Sequence, residues 1–542
     1  MDVLLFLCKA VWWLLRMFGR GMRWLLGLAR RDRRARRDGV HGTARFATRW
    51  ELLRGGVLSG RGPVIGRGPW GRLIRFTSDG LVFVFAATGA GKGIGIVIPT
   101  LLDYPGSILV TDPKGENYAI TRRRRERFGR VRMLSPTDLG RSNRFNPLDI
   151  VRVGSDLEAD DAKALARLMV KPDAREAHWD DKAVSLLTAL ILHTLREPPE
   201  TRTLAHVRAL SVGGPETFRA TLEEIAFSST STLAAEIASG FLSQIPQEPS
   251  SKAGEFESIL SNVQKATEQW SAGSPAGRLS GSSDFSLDEL VDGVCTLYLC
   301  VDEELLQVYE RWLRVMTGCV LATLTRAKYR PRSRHKVVLL LDEVAVLGPL
   351  DPLEKQSGLL RAYCTPVLIW QSMPQVEAVY GTKPGEAFLA NASCRVFFGV
   401  NDNATAAYVS TMVGNTTTLT RSTGVSQSSD ALLRHNQQHG QSESGYWLLD
   451  PSEVQRLPVT RLVAKFRDIP FAILAGRLNY RRMLRWRGVW DEWQGQSAPP
   501  AVPVPHRPDI SPEFAPHIPG EFSPADRSES SSRNERHPQG PR

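Results

Sequence analysis

The chain has 542 residues, 42% of them hydrophobic and 23% charged, which is globular composition and excludes a mainly disordered or fibrous chain. The length predicts two or three folded units with tails. The formal net charge is +12, but residues 1–37 hold ten basic and two acidic residues, a balance of +8 that leaves +4 for the other 505, so the charge does not indicate a basic nucleic-acid clamp in the folded body.

The first predicted element is an amphipathic helix within residues 3–28, which are rich in Leu, Trp and Phe. Spacings of 7, 4, 3 and 7 put five basic residues on one helix face: Lys9, Arg16, Arg20, Arg23 and Arg30. No uninterrupted apolar run reaches the roughly 18–20 residues that span a bilayer. We expect a helix in the membrane interface, with the Arg30–Arg37 cluster against anionic headgroups. A helix packed on a partner protein and a tilted span with snorkelling arginines are the alternatives.

Strands and helices alternate after residue 80. Apolar runs predict strands at Leu81–Phe85, Ser107–Thr111 and Val131–Leu134, whereas residues 155–285 carry a helical pattern without a strong strand. Four further strands are predicted downstream: Cys295–Val301, Val337–Leu341, Pro366–Trp370 and Arg395–Val400. This order predicts an α/β fold with a parallel sheet and helices on both faces.

A glycine-rich loop joins the first of these strands to a helix. Residues Ala86–Gly93 read AATGAGKG and can be compared with the phosphate-binding motif G-x-x-x-x-G-K-[ST]. Ala86 replaces the first glycine, and Gly93 replaces the hydroxyl residue that normally binds Mg2+, so a water or the Thr88 hydroxyl would have to substitute. The predicted phosphate-binding residues are Thr88, Gly89, Ala90, Gly91, Lys92 and Gly93. An ordinary glycine-rich turn is the alternative.

A pair of acids ends another predicted strand, KVVLLLDE. Asp342 is a candidate ligand for Mg2+ through its water shell, and Glu343 a candidate for polarising the attacking water. A cap on the next helix is the alternative role for Asp342. Gln371 ends the strand PVLIWQ and is a candidate sensor of the γ-phosphate or an ordinary strand-end residue. Together with Lys92, these residues predict ATP hydrolysis with Mg2+ as cofactor.

With these motifs in place, the sequence resembles the type IV coupling proteins, the conjugative DNA-transfer ATPases of type IV secretion systems. The similar stretches occur in order: HGTARFAT (41–48), ATGAGKGIGIVIPTLL (87–102), VTDPKGE (110–116), FNPLD (145–149), LLLDEVAVLGPL (339–350), IWQS (369–372) and RVFFGVND (395–402). Members of this family tolerate glycine after the loop lysine, and they usually begin with two membrane-spanning helices.

The resemblance implies a RecA-like P-loop NTPase that forms a homo-hexamer at the bacterial inner membrane, with its body on the cytoplasmic side. The implied function is to couple relaxase-bound single-stranded DNA, or an effector protein, to a type IV secretion channel and drive its transfer. A weakly hydrolysing or non-hydrolysing substrate-docking receptor is the alternative. An arginine acting in trans is also implied, with Arg361 and Arg395 as candidates.

Five segments are therefore expected. They are a membrane-associated segment (1–37), two parts of a nucleotide-binding domain (38–154 and 291–495), an inserted all-α domain (155–290) and a disordered Pro-rich tail (496–542). Ser/Thr/Gln/Asn-rich residues 415–445 predict a mobile surface loop. The six cysteines contain no C-x-x-C pair and predict reduced core residues rather than a zinc site.

An arginine run, Arg122–Arg125, leaves two interpretations open. It could contact nucleic acid, but a solvated helix face is favoured because the folded body carries little net charge.

Overall fold

The computed structural model of the chain describes residues 42–172, 177–245, 253–329, 335–354, 357–426 and 436–495. The amphipathic helix and the basic cluster expected within residues 1–37 lie outside the described residues, as does the Pro-rich tail from residue 496. Across the described ranges, no helix combines the length and the apolar character needed to cross a bilayer.

A large mixed sheet forms the core of the fold. Seven of its strands are parallel and lie in the order β9-β3-β8-β7-β4-β6-β5. Their bounds are β3 Leu81–Ala86, β4 Ile108–Asp112, β5 Arg130–Leu134, β6 Cys295–Cys300, β7 Val337–Leu341, β8 Cys364–Trp370 and β9 Ala392–Phe398. Every residue of β3, β4, β6, β7 and β8 is buried, because packed elements cover both faces of the sheet. All seven predicted strands are present within a few residues of their expected ends.

Four antiparallel strands extend the sheet beyond β9. They continue the order as β12, β13, β1 and β2. Their bounds are β1 Val64–Arg67, β2 Leu73–Arg75, β12 Arg461–Phe466 and β13 Ile473–Gly476. The first two lie in the glycine-rich residues 41–80, whose composition indicates short strands and turns leading into the core. The other two were not predicted from the sequence: β12 contains Arg461 and Lys465 among its apolar residues, and β13 has only four residues.

Helices fill the connections between strands. Those around the parallel strands are α1 Arg49–Arg54, α2 Ile98–Asp103, α3 Glu116–Glu126, α12 Glu310–Arg326, α13 Asp351–Glu354, α14 Ser357–Leu360, α15 Met373–Tyr380, α16 Thr382–Ala390, α17 Asn403–Val413 and α18 Pro451–Gln455. A π-helical turn, Gly93–Val97, precedes α2.

The connection between β5 and β6 is helical, as the sequence predicted. Its helices are α4 Glu158–Met169, α5 Ala177–Thr194, α6 Leu204–Ser211, α7 Pro215–Ser228, α8 Thr232–Leu242, α9 Ala253–Thr267, α10 Pro275–Leu279 and α11 Glu289–Asp292. The described part of this connection contains no strand. Its bounds as a separate domain stay a prediction.

The predicted surface loop at residues 415–445 is wrong for most of its length. Strands β10 (Asn415–Ser426) and β11 (Asn436–Trp447) pair antiparallel from Asn415 opposite Trp447 to Ser426 opposite Asn436. Threonine is β-branched and favours extended backbone. Threonine-rich β10 was missed because its residues are polar, not because they are poor strand formers.

Two of the four arginines on α3 are structural, so the favoured interpretation of a solvated helix face holds for only the other two. Arg125 is fully buried and donates to the Thr296 hydroxyl at 2.6 Å and to the Gly106 carbonyl at 2.5 Å. Arg123 forms an ion pair with Asp491 at 2.8 Å. Arg124 donates to a backbone carbonyl. Arg122, paired with Glu126 one turn away, and Arg123 are exposed and match a solvated helix face.

Candidate nucleotide site

The glycine-rich loop lies between the central strand β3 and the helix that follows it. Thr88 and Gly89 are exposed at its crest, and the next four residues through Gly93 are half-buried. Gly89 and Gly91 have left-handed backbone angles, with φ of +77° and +83°, which glycine adopts without the steric cost of a side chain. The loop conformation therefore depends on glycine at these two positions.

The ammonium group of Lys92 joins this loop to the acids predicted at the end of β7. It lies 3.0 Å from the Asp342 carboxylate and also contacts the Glu343 carboxylate. The structure thus brings together the three residues on which the predicted site depends. Their side chains are 9–20% exposed, so the charges attract one another in a partly desolvated setting.

Gln371, after β8, lies beside the same cluster. Its side-chain amide donates to the second oxygen of Glu343 at 3.0 Å. Glu343 has left-handed backbone angles (φ 51°, ψ 44°), which are uncommon for a residue with a side chain and concentrate at functional sites. Gln371 thus fixes the orientation of a carboxylate whose other oxygen contacts Lys92.

Thr111, at the end of β4, holds the backbone of Asp342. Its hydroxyl accepts from the Asp342 amide at 2.7 Å and donates to the Asp342 carbonyl at 2.9 Å. The Asp342 carboxylate itself accepts the Glu343 amide at 3.0 Å. A short 3₁₀ turn, Val344–Leu347, follows, and its N-cap residue is Glu343, without a side-chain capping bond. The alternative role of Asp342 as a cap is therefore wrong, and its carboxylate is held by Lys92 and the neighbouring amide.

Burial and neighbouring charges shift the pKa values of Lys92 and Asp342 in opposite directions. Burial opposes the charged form of Lys92, but the carboxylates of Asp342 and Glu343 outweigh it and raise the lysine pKa. For Asp342, burial raises the pKa although the Lys92 cation opposes this. Lys92 is therefore held as a cation, and its charge is balanced inside the cluster.

A second buried carboxylate, Asp112, lies at the end of β4 next to Thr111. It accepts the Tyr118 amide at 2.8 Å and the Asn117 side-chain amide at 3.1 Å, which fixes the start of α3. Burial raises the pKa of Asp112 to about 6, although these hydrogen bonds oppose the shift. Asp112 serves the fold at this position, one strand away from Asp342.

Arg477 supports the loop from behind and was not predicted from the sequence. Its guanidinium donates to the Ala90 carbonyl at 2.5 Å. A methyl group added to Gly91 would lie 1.9 Å from the same guanidinium, so glycine there also makes room for Arg477. The residue follows β13, 387 positions after Ala90, and no local motif marks it.

Gly93 occupies the place where related loops carry a hydroxyl residue. A methyl group added there would meet no heavy atom within 4 Å, and its φ is not in the left-handed region. The position therefore has open space for a side chain, and the loop geometry does not demand glycine.

The two arginines named as trans candidates do not reach this cluster within their own chain. Arg395 lies inside β9, opposite Phe83 of β3, and donates to the Leu389 carbonyl. Arg361 precedes β8, whereas Gln371 follows it, so the strand of seven residues separates them by roughly 20 Å.

The family model described as type IV secretory system conjugative DNA transfer matches residues 39–470. The VirD4 protein of Agrobacterium fabrum strain C58 is 30% identical over 472 residues, covering 82% of this chain and 67% of that protein. The conjugal transfer protein TraG of the same strain is 33% identical over 362 residues, covering 64% of this chain. This chain spans 53% of the length of that TraG protein.

Solved structures of the coupling protein TrwB have a similar fold. The unbound monoclinic form of TrwBdeltaN70 superposes with a TM-score of 0.60 at 16% identity, covering 83% of this chain and 95% of that one. TrwB in complex with ADP and Mg2+ gives 0.58 at 15% identity, covering 83% and 96%. From the family match and the VirD4 similarity, this chain belongs to the type IV secretory system conjugative DNA transfer family.

Proposed function

We propose that the chain is the coupling ATPase of a type IV secretion system. It binds ATP with Mg2+ and uses hydrolysis to pass relaxase-bound single-stranded DNA, or an effector protein, into the secretion channel. One observation carries the proposal: the loop lysine and the strand-end acids, far apart in sequence, meet in one cluster. The proposal is supported by the ADP and Mg2+ complex of TrwB.

In this account the ion pairs of Lys92 are the resting arrangement of the site. The phosphate chain of ATP is a stronger anionic partner, so Lys92 exchanges the carboxylates for β- and γ-phosphate oxygens. The amides of Thr88–Gly93 hold the same phosphates at the helix N-terminus. This exchange frees the carboxylates of Asp342 and Glu343 for their own tasks.

The residues fit a magnesium ion. Mg2+ prefers oxygen ligands and retains several waters, and the Asp342 carboxylate supplies such an oxygen beside the loop. Bound Mg2+ would neutralise charge on the phosphates. Gly93 contributes no hydroxyl, so a water or the Thr88 hydroxyl would supply the missing oxygen ligand.

Glu343 is the proposed general base. After Lys92 departs, its carboxylate keeps the hydrogen bond from Gln371, which orients the other oxygen toward an attacking water. Gln371 therefore acts as a positioning residue for the Glu343 carboxylate. The trans arginine of a hexameric ring would complete the site from a neighbouring subunit.

The proposed placement of the protein is at the inner membrane, with residues 1–37 on the bilayer surface and the folded body in the cytoplasm. The helical connection between β5 and β6 is the proposed contact for substrate. The proposed RecA-like assembly is a homo-hexamer that passes substrate toward the channel.

A second candidate function is a substrate-docking receptor with little hydrolysis. It is favoured by Gly93, which lacks the hydroxyl ligand for Mg2+, and by Lys92, whose charge is already balanced without nucleotide. Phosphate release stimulated by single-stranded DNA separates the two candidates, because a receptor of this kind would not show it.

The test is ATP turnover and substrate transfer by the full chain carrying Lys92→Ala, with Lys383→Ala as control. Lys383 is exposed, so its loss should change neither readout. We expect Lys92→Ala to abolish both turnover and transfer while the protein remains folded. Normal turnover in Lys92→Ala would refute the ATPase proposal.

A further inference from the structure

The first described part of the chain exposes two tryptophans beside arginines. Trp50, on α1, is 80% exposed, and Trp70, in the turn between β1 and β2, is 63% exposed. Among the described residues, no other tryptophan exposes more than half of its surface. With Arg49, Arg54 and Arg72, which are also exposed, they form what we call the Trp–Arg patch.

The patch is built into the fold. Trp70 has left-handed backbone angles (φ 56°, ψ 22°) and is followed by Gly71 at φ +73°, a tight turn in which a tryptophan carries strain. The Arg49 guanidinium lies 5.4 Å from the centre of the Trp70 ring, within the range of a cation–π contact. This contact connects α1, which also carries Trp50, to the β1–β2 turn that carries Trp70.

The charge around the patch differs from the charge of the remaining body. Residues 42–78 contain seven arginines and one glutamate, a balance of +6. Residues 38–542 together carry +4, so the rest of that range carries −2. Arg45 and Arg75 pair with carboxylates. The other five are exposed and have no ion pair to another described residue: Arg49, Arg54, Arg61, Arg67 and Arg72. The positive charge of these arginines therefore favours an anionic binding partner for the patch.

The path of the chain indicates which anionic partner. Arg49 is twelve positions after Arg37, which at full extension is at most about 43 Å. The patch is thus tethered close to the segment expected on the membrane. Tryptophan favours the level of lipid headgroups, and arginines near a bilayer are attracted to anionic lipids.

We propose that the Trp–Arg patch docks on the anionic bilayer surface and sets the orientation of the folded body against the membrane. The inference rests on the membrane placement in the proposed function. To the expected contact of residues 1–37 with the bilayer it adds a second contact, made by the Trp–Arg patch. A second copy of the chain is the rival occupant, because exposed tryptophans also serve protein interfaces.

The test uses the full chain bound to vesicles of phosphatidylcholine with phosphatidylglycerol. Tryptophan emission is compared between vesicles of ordinary lipid and vesicles whose acyl chains are brominated, which quench nearby indole rings. Subtracting the emission of Trp50→Phe/Trp70→Phe from that of the wild type isolates the two rings. Phe227→Trp is the matched control, because Phe227 is 89% exposed and lies on α7 of the helical connection, outside the patch.

The proposal predicts that most of the difference emission is lost in brominated vesicles, and that the loss falls at least severalfold without phosphatidylglycerol. The added emission of Phe227→Trp should be unchanged. If the chain floats with vesicles but the difference emission is unquenched, the patch proposal is overturned and membrane placement stands. A chain that does not float at all overturns both. If the difference emission shifts to shorter wavelength only when the chain self-associates, the patch binds a second copy of the chain and the membrane proposal is overturned.

Discussion

Lys92 and Asp342 are 250 residues apart in the sequence, and their charged groups lie 3.0 Å apart. The pair connects the loop after β3 to the end of β7, although β8 lies between these strands. In the proposed function nucleotide binding breaks this contact, so the resting site and the loaded site would differ in where Lys92 points.

Lys92→Ala should weaken both nucleotide binding and the resting fold. Removing the cation leaves two adjacent, largely buried carboxylates, and breaking such a pair costs about 3 kcal/mol. Urea unfolding without nucleotide, together with binding of a fluorescent ATP analogue, measures the two effects. Lys383→Ala should match the wild type in both. A Lys92→Ala protein of unchanged stability would contradict the ion-pair account.

Gly93→Ser should be accepted by the loop and should improve the use of Mg2+. The added side chain meets open space, and its hydroxyl stands where related loops bind the ion. We expect half-maximal ATP turnover at a Mg2+ concentration several-fold lower than in the wild type. Gly93→Ala adds the methyl group without the hydroxyl and should leave this concentration unchanged. If Gly93→Ser and Gly93→Ala need the same Mg2+ concentration for half-maximal turnover, a hydroxyl at this position does not bind the ion.

Arg477→Ala should raise the KM for ATP more than it lowers kcat. The guanidinium holds the Ala90 carbonyl and fills the space behind Gly91. Losing a charged hydrogen bond of about 1.5 kcal/mol corresponds to roughly a tenfold change in affinity. Arg477→Lys should restore part of the loss. Arg487→Ala, at an exposed arginine, is the control. An unchanged KM for ATP in Arg477→Ala would show that Arg477 does not hold the glycine-rich loop in its binding conformation.

The loop and the acids were predictable because their signals are local. The run before Asp342 is apolar and ends in two acids, so both the strand and its functional end are visible in eight residues. Arg477 has no such context. It reaches the loop only because antiparallel strands extend the sheet beyond β9, and those brief strands carry no strong pattern.

Burial of charge was the other property that the sequence concealed. Arg125 occurs in a run of four arginines, and its neighbours Arg122 and Arg123 pair at the surface. Only the tertiary structure supplies the Thr296 hydroxyl and the carbonyls that let Arg125 enter the core. Composition alone therefore could not separate a structural arginine from a solvated one.

Asp112 should give the fold a specific dependence on pH. Burial raises its pKa to about 6 in the folded state, above the ordinary value of 3.8, so the folded state binds the proton more tightly. This contribution to stability is present below the ordinary pKa and is lost as pH rises through 6, by up to about 3 kcal/mol.

Asp112→Asn removes this titration. The stability of the wild type relative to Asp112→Asn should therefore be greater at pH 4.5 than at pH 7, measured as the difference in unfolding free energy at each pH. Asp156→Asn, at an exposed aspartate, is the control, and its difference in unfolding free energy from the wild type should be the same at the two pH values. A constant difference between wild type and Asp112→Asn across this range would contradict the buried, raised pKa.

The most direct test of the central claim is phosphate release by full-length Glu343→Gln, with and without single-stranded DNA. Glu377→Gln, the same substitution at an exposed glutamate beside β8, is the control. If Glu343 is the base, Glu343→Gln should still bind ATP and lose at least about a hundredfold in turnover, while Glu377→Gln matches the wild type. Wild-type phosphate release by Glu343→Gln would contradict hydrolysis at this site.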